Sequence, residues 1–189
     1  LTRIRRNCAE LQDMVKNYLD LSRAERGELV ARLGPCELQA DVVEPSLAQT
    51  RAEFDARGMT LDVSGPDALS LIADPDLLRI ALTNYLSNAA KYGKDGGRVD
   101  VSVQADDAAI HVFVRNEGQG FTPEEGEQLF AKFTRLKNAT TRARKGSGLG
   151  LYLCRSTAEL HKGRAWADSE PGQWARFHLE IPISHVEPL

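Results

Sequence analysis

The chain has 189 residues, 42% of them hydrophobic and 27% charged, with a net charge of −3 at pH 7. That balance belongs to a soluble globular protein, excludes a disordered or fibrous one, and argues against a general nucleic-acid binder. Three widely spaced cysteines, Cys8, Cys36 and Cys154, form no C-x-x-C pair, and no apolar run approaches the roughly 20 residues that span a bilayer. A reduced, cytoplasmic setting is expected, with no membrane contact by this stretch, whether the parent protein is soluble or membrane-anchored.

Leu1, Ile4, Cys8, Leu11, Val15 and Tyr18 recur at alternating spacings of three and four, the period of a helix packed along a partner helix. Met14, Leu19 and Leu21 widen that face as a helical bundle requires. Gly27 ends the pattern, and Gly34-Pro35 signals a turn or hinge. Leu38 to Arg57 suggests a helix closed by Gly58 and kinked or interrupted at Pro45. Two short strands, Thr60–Val63 and Leu69–Ile72, flank Gly65-Pro66-Asp67. Asp74-Pro75 opens a helix that runs to about Tyr92 and stops at Gly93.

A hairpin follows, with Val99, Val101 and Val103 and then Ile110, Val112 and Val114 alternating inward. Thr122-Pro123 starts a short helix toward Phe130, and Gly148 to Leu160 is helical again. Between them, Thr134 to Lys145 loses periodicity and carries Arg135, Lys137, Arg142, Arg144 and Lys145 without an acid. Such a run is most often a solvated surface, but its place between two glycine motifs suggests a mobile lid whose cations meet a polyphosphate. Two strands, Ala165–Asp168 and Trp174–Ile181, close the chain. The expected architecture is α/β (α+β), a two-layer sandwich of one mixed sheet with helices on a single face.

Three clusters carry chemistry. Asn84 and Asn88 stand four apart on one helix face, with Lys91 and Tyr92 a turn further on. An amide oxygen is a hard neutral ligand suited to Mg2+ when phosphates supply the charge. Lys91 can pair with a phosphate and Tyr92 offers a flat surface to a base. Two solvent-facing amides are the plain alternative. Asn116-Glu117-Gly118-Gln119-Gly120 follows a strand, where closely spaced glycines admit a ligand to the backbone, although a glycine-rich turn explains them equally. Gly146-Ser147-Gly148-Leu149-Gly150-Leu151 passes straight into a helix and aims free N–H groups at an anion. It is not a dinucleotide fingerprint, because no βαβ unit with an acid about 20 residues on follows it, nor a P-loop, since no lysine follows the glycines.

In this order and spacing the clusters resemble the histidine-kinase branch of the ATPase superfamily shared with gyrase, Hsp90 and MutL. Leu82 to Tyr92 matches the N box, Asn116 to Gly120 the first glycine box, Leu129-Phe130-Ala131-Lys132-Phe133 the F box, and Gly146 to Leu151 the second glycine box. The resemblance implies the histidine-kinase type of sandwich. Residues 1–27 would form the second helix of a dimerisation and phosphotransfer hairpin, and 28–189 the catalytic ATP-binding domain. It further implies ATP and Mg2+ as ligands, with Asn88 on the metal and Asn84 by the phosphates, orienting the reacting groups. Lys91 would meet a phosphate and Tyr92 adenine. Gly118, Gly120, Gly146, Gly148 and Gly150 would shape the pocket and lid hinges, and Leu149 and Leu151 would seat the lid. Phe133, Arg135 and Ser147 would line the same site. The implied reaction passes the ATP γ-phosphoryl to a histidine upstream of this stretch, in a homodimer that serves a response regulator receiver domain.

Two departures stand out. The family opens its first glycine box with an aspartate that accepts the adenine amino group, where this chain has Asn116. A freely turning amide presents either an acceptor or a donor, so the sequence predicts that Asn116→Asp tightens ATP binding and widens its preference over GTP. In addition, none of His111, His161, His178 and His185 lies in a phosphoacceptor context, and each reads as structural or solvated. These departures keep open a non-catalytic ATP-binding or docking module that pairs through its N-terminal helix. A serine kinase of the same superfamily fits that helix poorly.

Overall fold

The computed structural model describes residues 30–136 and 147–183. The expected N-terminal helix, residues 1–27, lies outside them, as do most of the basic segment and His185. Strand β1 (Gly34–Glu37) leads into a six-residue π-helical turn (Leu38–Val43) and helix α1 (Glu44–Asp55). Then come β2 (Thr60–Ser64), β3 (Ser70–Ala73), α2 (Pro75–Tyr92), β4 (Arg98–Ala105), β5 (Ala109–Glu117), α3 (Pro123–Gln128), α4 (Gly150–Leu160), β6 (Arg164–Glu170) and β7 (Trp174–Pro182).

Five strands form one sheet in the order β2-β4-β5-β7-β6; β2 and β4 run parallel and the other pairs antiparallel. A parallel pair needs a crossover, and α2 lies in the connection between β2 and β4. Among the described elements α2 packs against β5, α4 against β6 and β7, and α1 against α2, so the sheet is covered on one face. This is the expected two-layer sandwich. Val99, Val101, Val114 and Ile110 are almost wholly buried beneath α2, whose Leu82, Tyr85, Leu86 and Ala89 meet them. Tyr85 stacks on Phe177 at 5.6 Å and donates its hydroxyl to His178 O at 2.8 Å. No described helix is long and apolar enough to cross a membrane.

The structure corrects two local expectations. Gly34-Pro35 is a strand start rather than a hinge, because β1 pairs antiparallel with β3. The two strands flank Gly65-Pro66-Asp67 as expected, and each pairs elsewhere: β2 joins β4 and β3 joins β1. Pro45 does not kink a long helix. It sits in the first turn of α1, where its missing N–H costs nothing, and the break falls earlier, in the π-helical turn.

Candidate functional site

Helix α2 is fixed at both ends. Asp74 caps its start, accepting from Asp76 N at 3.0 Å and Leu77 N at 3.2 Å. At the other end Arg57 donates to the carbonyls of Ala90 and Gly93, the latter at 2.9 Å, and pairs with Asp95. A guanidinium on the last carbonyls of a helix satisfies groups that lack an intrahelical partner. Asn84, Asn88 and Lys91 lie off the buried face of α2; both asparagines are half-buried and Lys91 is exposed. Asn84 donates Nδ2 to Ile80 O at 2.8 Å, and its Oδ1 faces Gly150. Asn88 makes no side-chain hydrogen bond among the described residues.

The second glycine box abuts that face, since a side chain at Gly150, the first residue of α4, would collide with Asn84 Oδ1. Helix α4 has no side-chain cap, and Leu149 before it is buried. Ser147 Oγ accepts from Leu149 N at 3.3 Å, and Leu151 packs against the core. Gly148 adopts φ +72°, and a Cβ there would lie 2.8 Å from Phe133 C and 2.9 Å from Thr134 O. The two ends of the basic segment therefore meet at its base. Phe133 itself has φ 58° and is 62% exposed, in a region that side-chain-bearing residues enter at a cost. Arg135 is exposed, and Gly146 lies outside the described residues.

The first glycine box joins the far end of α2. Gly93 and Gly118 form a β-bridge, and Lys94 N donates to Glu117 O at 2.8 Å. A Cβ on Gly118 would stand 2.9 Å from Tyr92 O, so glycine is what allows this approach. Gly118 N in turn donates to Gln173 O at 2.9 Å. Gly120, with φ +62°, packs on the backbone of Glu170 and Trp174. Asn116, at the end of β5 on the covered face, is 2% exposed. One helix end thus touches the first glycine box, and the middle of that helix touches the second.

The same arrangement matches a known family model, "Histidine kinase-, DNA gyrase B-, and HSP90-like ATPase", over residues 73–185. The chain belongs to this ATPase family. It is 31% identical over 172 residues to the sensor-like histidine kinase SenX3 of Mycobacterium tuberculosis, covering 91% of this chain and 42% of SenX3. The chain thus spans about two fifths of the length of the curated relatives it matches. Among solved structures, the mycobacterial sensor histidine kinase MprB superposes with a TM-score of 0.70 at 27% identity, over 81% of this chain and 100% of that one. Histidine kinase ThkA, solved in complex with response regulator protein TrrA, superposes with a TM-score of 0.75 over 96% of this chain and 49% of that one, and at 20% identity shows the fold.

Three of the four histidines of this ATPase domain have structural partners. His161 closes α4, with Nε2 accepting from Asp74 N at 2.9 Å and Nδ1 facing Thr157 O at 2.8 Å. His111 and His178 lie on the open face of the sheet, joined to each other at 2.9 Å, and His178 meets Asp168 at 2.8 Å. Sequence reasoning missed Arg57 and the Glu117 carbonyl. Arg57 reads as the frayed end of α1, and its partners stand more than thirty residues away, with no local pattern to announce them.

Proposed function

We propose that this chain is the ATP-binding catalytic domain of a two-component sensor histidine kinase, transferring the γ-phosphoryl of ATP to a histidine on a dimerisation hairpin of the same or a second kinase chain. The observation that carries the proposal is the junction of three separated motifs on one helix: Gly150 against Asn84, and Gly118 against Tyr92. Asn84 stands against the open start of α4, where free N–H groups favour an anion, and Asn88 lies one turn further along α2. Lys91 adds a cation for a phosphate, and Tyr92 and Asn116 stand toward the base. Phe133, Arg135 and Ser147 stand where the basic segment leaves and rejoins the fold.

The donor set fits a cation delivered with its substrate. No group of three or more His, Cys, Asp or Glu side chains able to hold a metal occurs among the described residues, so a stable ion needs phosphate oxygens and water beside an amide. Asn88, whose amide makes no hydrogen bond among the described residues, would hold Mg2+, which supplies neutralisation of phosphate charge when bound. The protein's own part is positioning: α2 and α4 orient the triphosphate toward an incoming imidazole nitrogen. ThkA, solved with a response regulator protein, supports a response regulator receiver domain as partner, and the likeness to the sensor-like histidine kinase SenX3 supports the kinase reading. A homodimer with residues 1–27 as part of its hairpin is the arrangement we propose.

Asn88→Ala is expected to abolish Mg2+-dependent ATP binding in calorimetry while helicity by circular dichroism is unchanged. Unaltered affinity at unaltered helicity refutes the metal role. A docking module that binds ATP without transferring it is separated by mixing the domain with a hairpin bearing the phosphoacceptor: acid-labile label from γ-labelled ATP on the hairpin marks the kinase.

A further inference from the structure

Helix α2 stops before its own hydrogen bonding would end it. In a continuing helix Lys94 N–H would serve Ala90 O, four residues back. Lys94 N donates instead to Glu117 O at 2.8 Å, and Gly93, with φ −65° and ψ 168°, leaves the helix to form the bridge with Gly118. The chain thus exchanges a helical bond for the contact that joins α2 to the first glycine box. The exchange strands the carbonyl of Ala90, a residue only 2% exposed, and a buried carbonyl without a donor is destabilising. Arg57 supplies the donor. Its guanidinium donates to Ala90 O and, at 2.9 Å, to Gly93 O, while Nε meets Asp95 Oδ1 at 2.6 Å.

The guanidinium is itself held in place. Gly58, with φ +60°, turns the chain out of α1 just after Arg57. Arg57 O accepts from Gly96 N at 3.0 Å, and Thr60 N donates to Gly97 O at 3.0 Å. The loop 93–97 is therefore tied to residues 57–60 by main chain on one side and by the Arg57 side chain on the other. That side chain is 21% exposed against 79% for Asp95, so solvent weakens the ion pair and the carbonyl bonds carry the contact.

We propose that Arg57 is a positioning residue for the nucleotide site: by occupying the last carbonyls of α2 it keeps the helix short, so that the chain leaves after Tyr92 and meets the first glycine box. The inference rests on the nucleotide-site reading above and adds to it a residue outside all four sequence boxes. Arg57 acts through the helix end, fixing where Lys91 stands relative to the glycines. Without it, Ala90 O is satisfied by the return of Lys94 N. That return lengthens α2, takes the donor from Glu117 O and opens the bridge between Gly93 and Gly118. Two motifs that were joined must then be ordered again at each binding event, which weakens ATP by about tenfold.

The test compares Arg57→Met, which keeps an apolar stem but donates nothing, with Arg57→Lys, whose ammonium has donors for both carbonyls. Calorimetric titrations with Mg-ATP, on protein shown to be folded by circular dichroism, are paired with urea midpoints. Arg57→Met should bind ATP about tenfold more weakly than the wild type, and Arg57→Lys within about twofold of it. A clamp that serves stability alone would lower the urea midpoint of Arg57→Met and leave the ATP affinity of the folded protein unchanged. That result overturns the inference, as does an Arg57→Lys protein that binds as weakly as Arg57→Met. In both cases the wild type still binds ATP and the nucleotide reading stands; a wild type that binds no ATP removes that reading and the inference with it. Should Arg57→Met not fold, Arg57→Gln replaces it, with one amide nitrogen where the guanidinium used two on the carbonyls. Binding about fivefold weaker than the wild type then supports the inference, and unchanged affinity overturns it.

Discussion

Strand β7 passes through two environments at every second residue. Ala175, Phe177, Leu179 and Ile181 face the helices and are buried. Arg176, His178 and Glu180 face the other way, into a layer of rings and charges without a covering helix among the described elements. There Arg176 forks onto Asp168 with Nε at 2.9 Å and Nη2 at 2.5 Å, and lies 5.6 Å from the centre of Phe113. Trp166 stacks on His178 at 4.7 Å, and His111 stacks on both. The covered face is held by non-directional burial, which scales with area; the open face is held by directed contacts that water competes for. The contrast teaches that a two-layer domain protects its bare face with flat side chains and their cation partners rather than with a third layer.

The comparison breaks most visibly at Phe177. It stacks on Tyr85 and lies 6.2 Å from Phe121, so truncation opens a cavity between the sheet and two separate segments. Phe177→Ala should cost about 3–5 kcal/mol, read as a drop in the urea midpoint. A loss no larger than that of an open-face substitution would mean that the covered face is not the main source of stability.

The covered face was also the legible one. Val99, Val101, Val103, Ile110, Val112 and Val114 alternate in sequence as they alternate in burial, because a period of two is all that a half-buried strand demands. The start of α2 was readable from Asp74-Pro75 for a similarly local reason. Pairing was less so: β2 joins β4 across a crossover of more than thirty residues, and nothing in either strand announces its partner. At the candidate site the clusters Asn84/Asn88, Asn116–Gly120 and Ser147–Leu151 could be picked out by residue type and spacing. Their junctions could not, because Gly118 on Tyr92 and Gly150 on Asn84 are long-range approaches of backbone to neighbour.

On the open face the sharper cut is Asp168→Asn, which keeps the shape but removes the charge that Arg176 and His178 share. The Asp168 side chain is 42% exposed and that of Arg176 33%, so solvent weakens the pair, and a loss of about 1 kcal/mol is expected. Unlike the Phe177→Ala loss, it should shrink in 1 M salt, where the screening length falls to about 3 Å. A salt-independent loss would mean that packing, not charge, holds this layer.

The smallest expected effect is on pH. His178 Nε2 faces the Asp168 carboxylate, which only accepts, so the proton sits on Nε2 and Nδ1 accepts from His111 Nε2. Burial holds both imidazoles below their ordinary range; for His178 the hydrogen bond and charge of Asp168 pull the other way but do not prevail. Burial would raise the Asp168 carboxyl, yet Arg176 and His178 together hold it below the usual value. For a base whose folded pKa lies below its unfolded one, the unfolded chain takes up more protons as the pH falls. The stability these histidines contribute is therefore present above 6.5 and is lost as the pH drops from there through the folded values. The Asp168 contribution is lost separately, only below 3.8. Thermal midpoints measured from pH 8 to 5 should fall below 6.5, by no more than about 1.4 kcal/mol per pH unit for each histidine. His111→Gln should make that slope shallower while leaving the pH 8 midpoint close to the wild type, since the ring it removes is only half-buried. A midpoint that stays level or rises between pH 6.5 and 5 would show that the open face carries its protons as easily as the unfolded chain does.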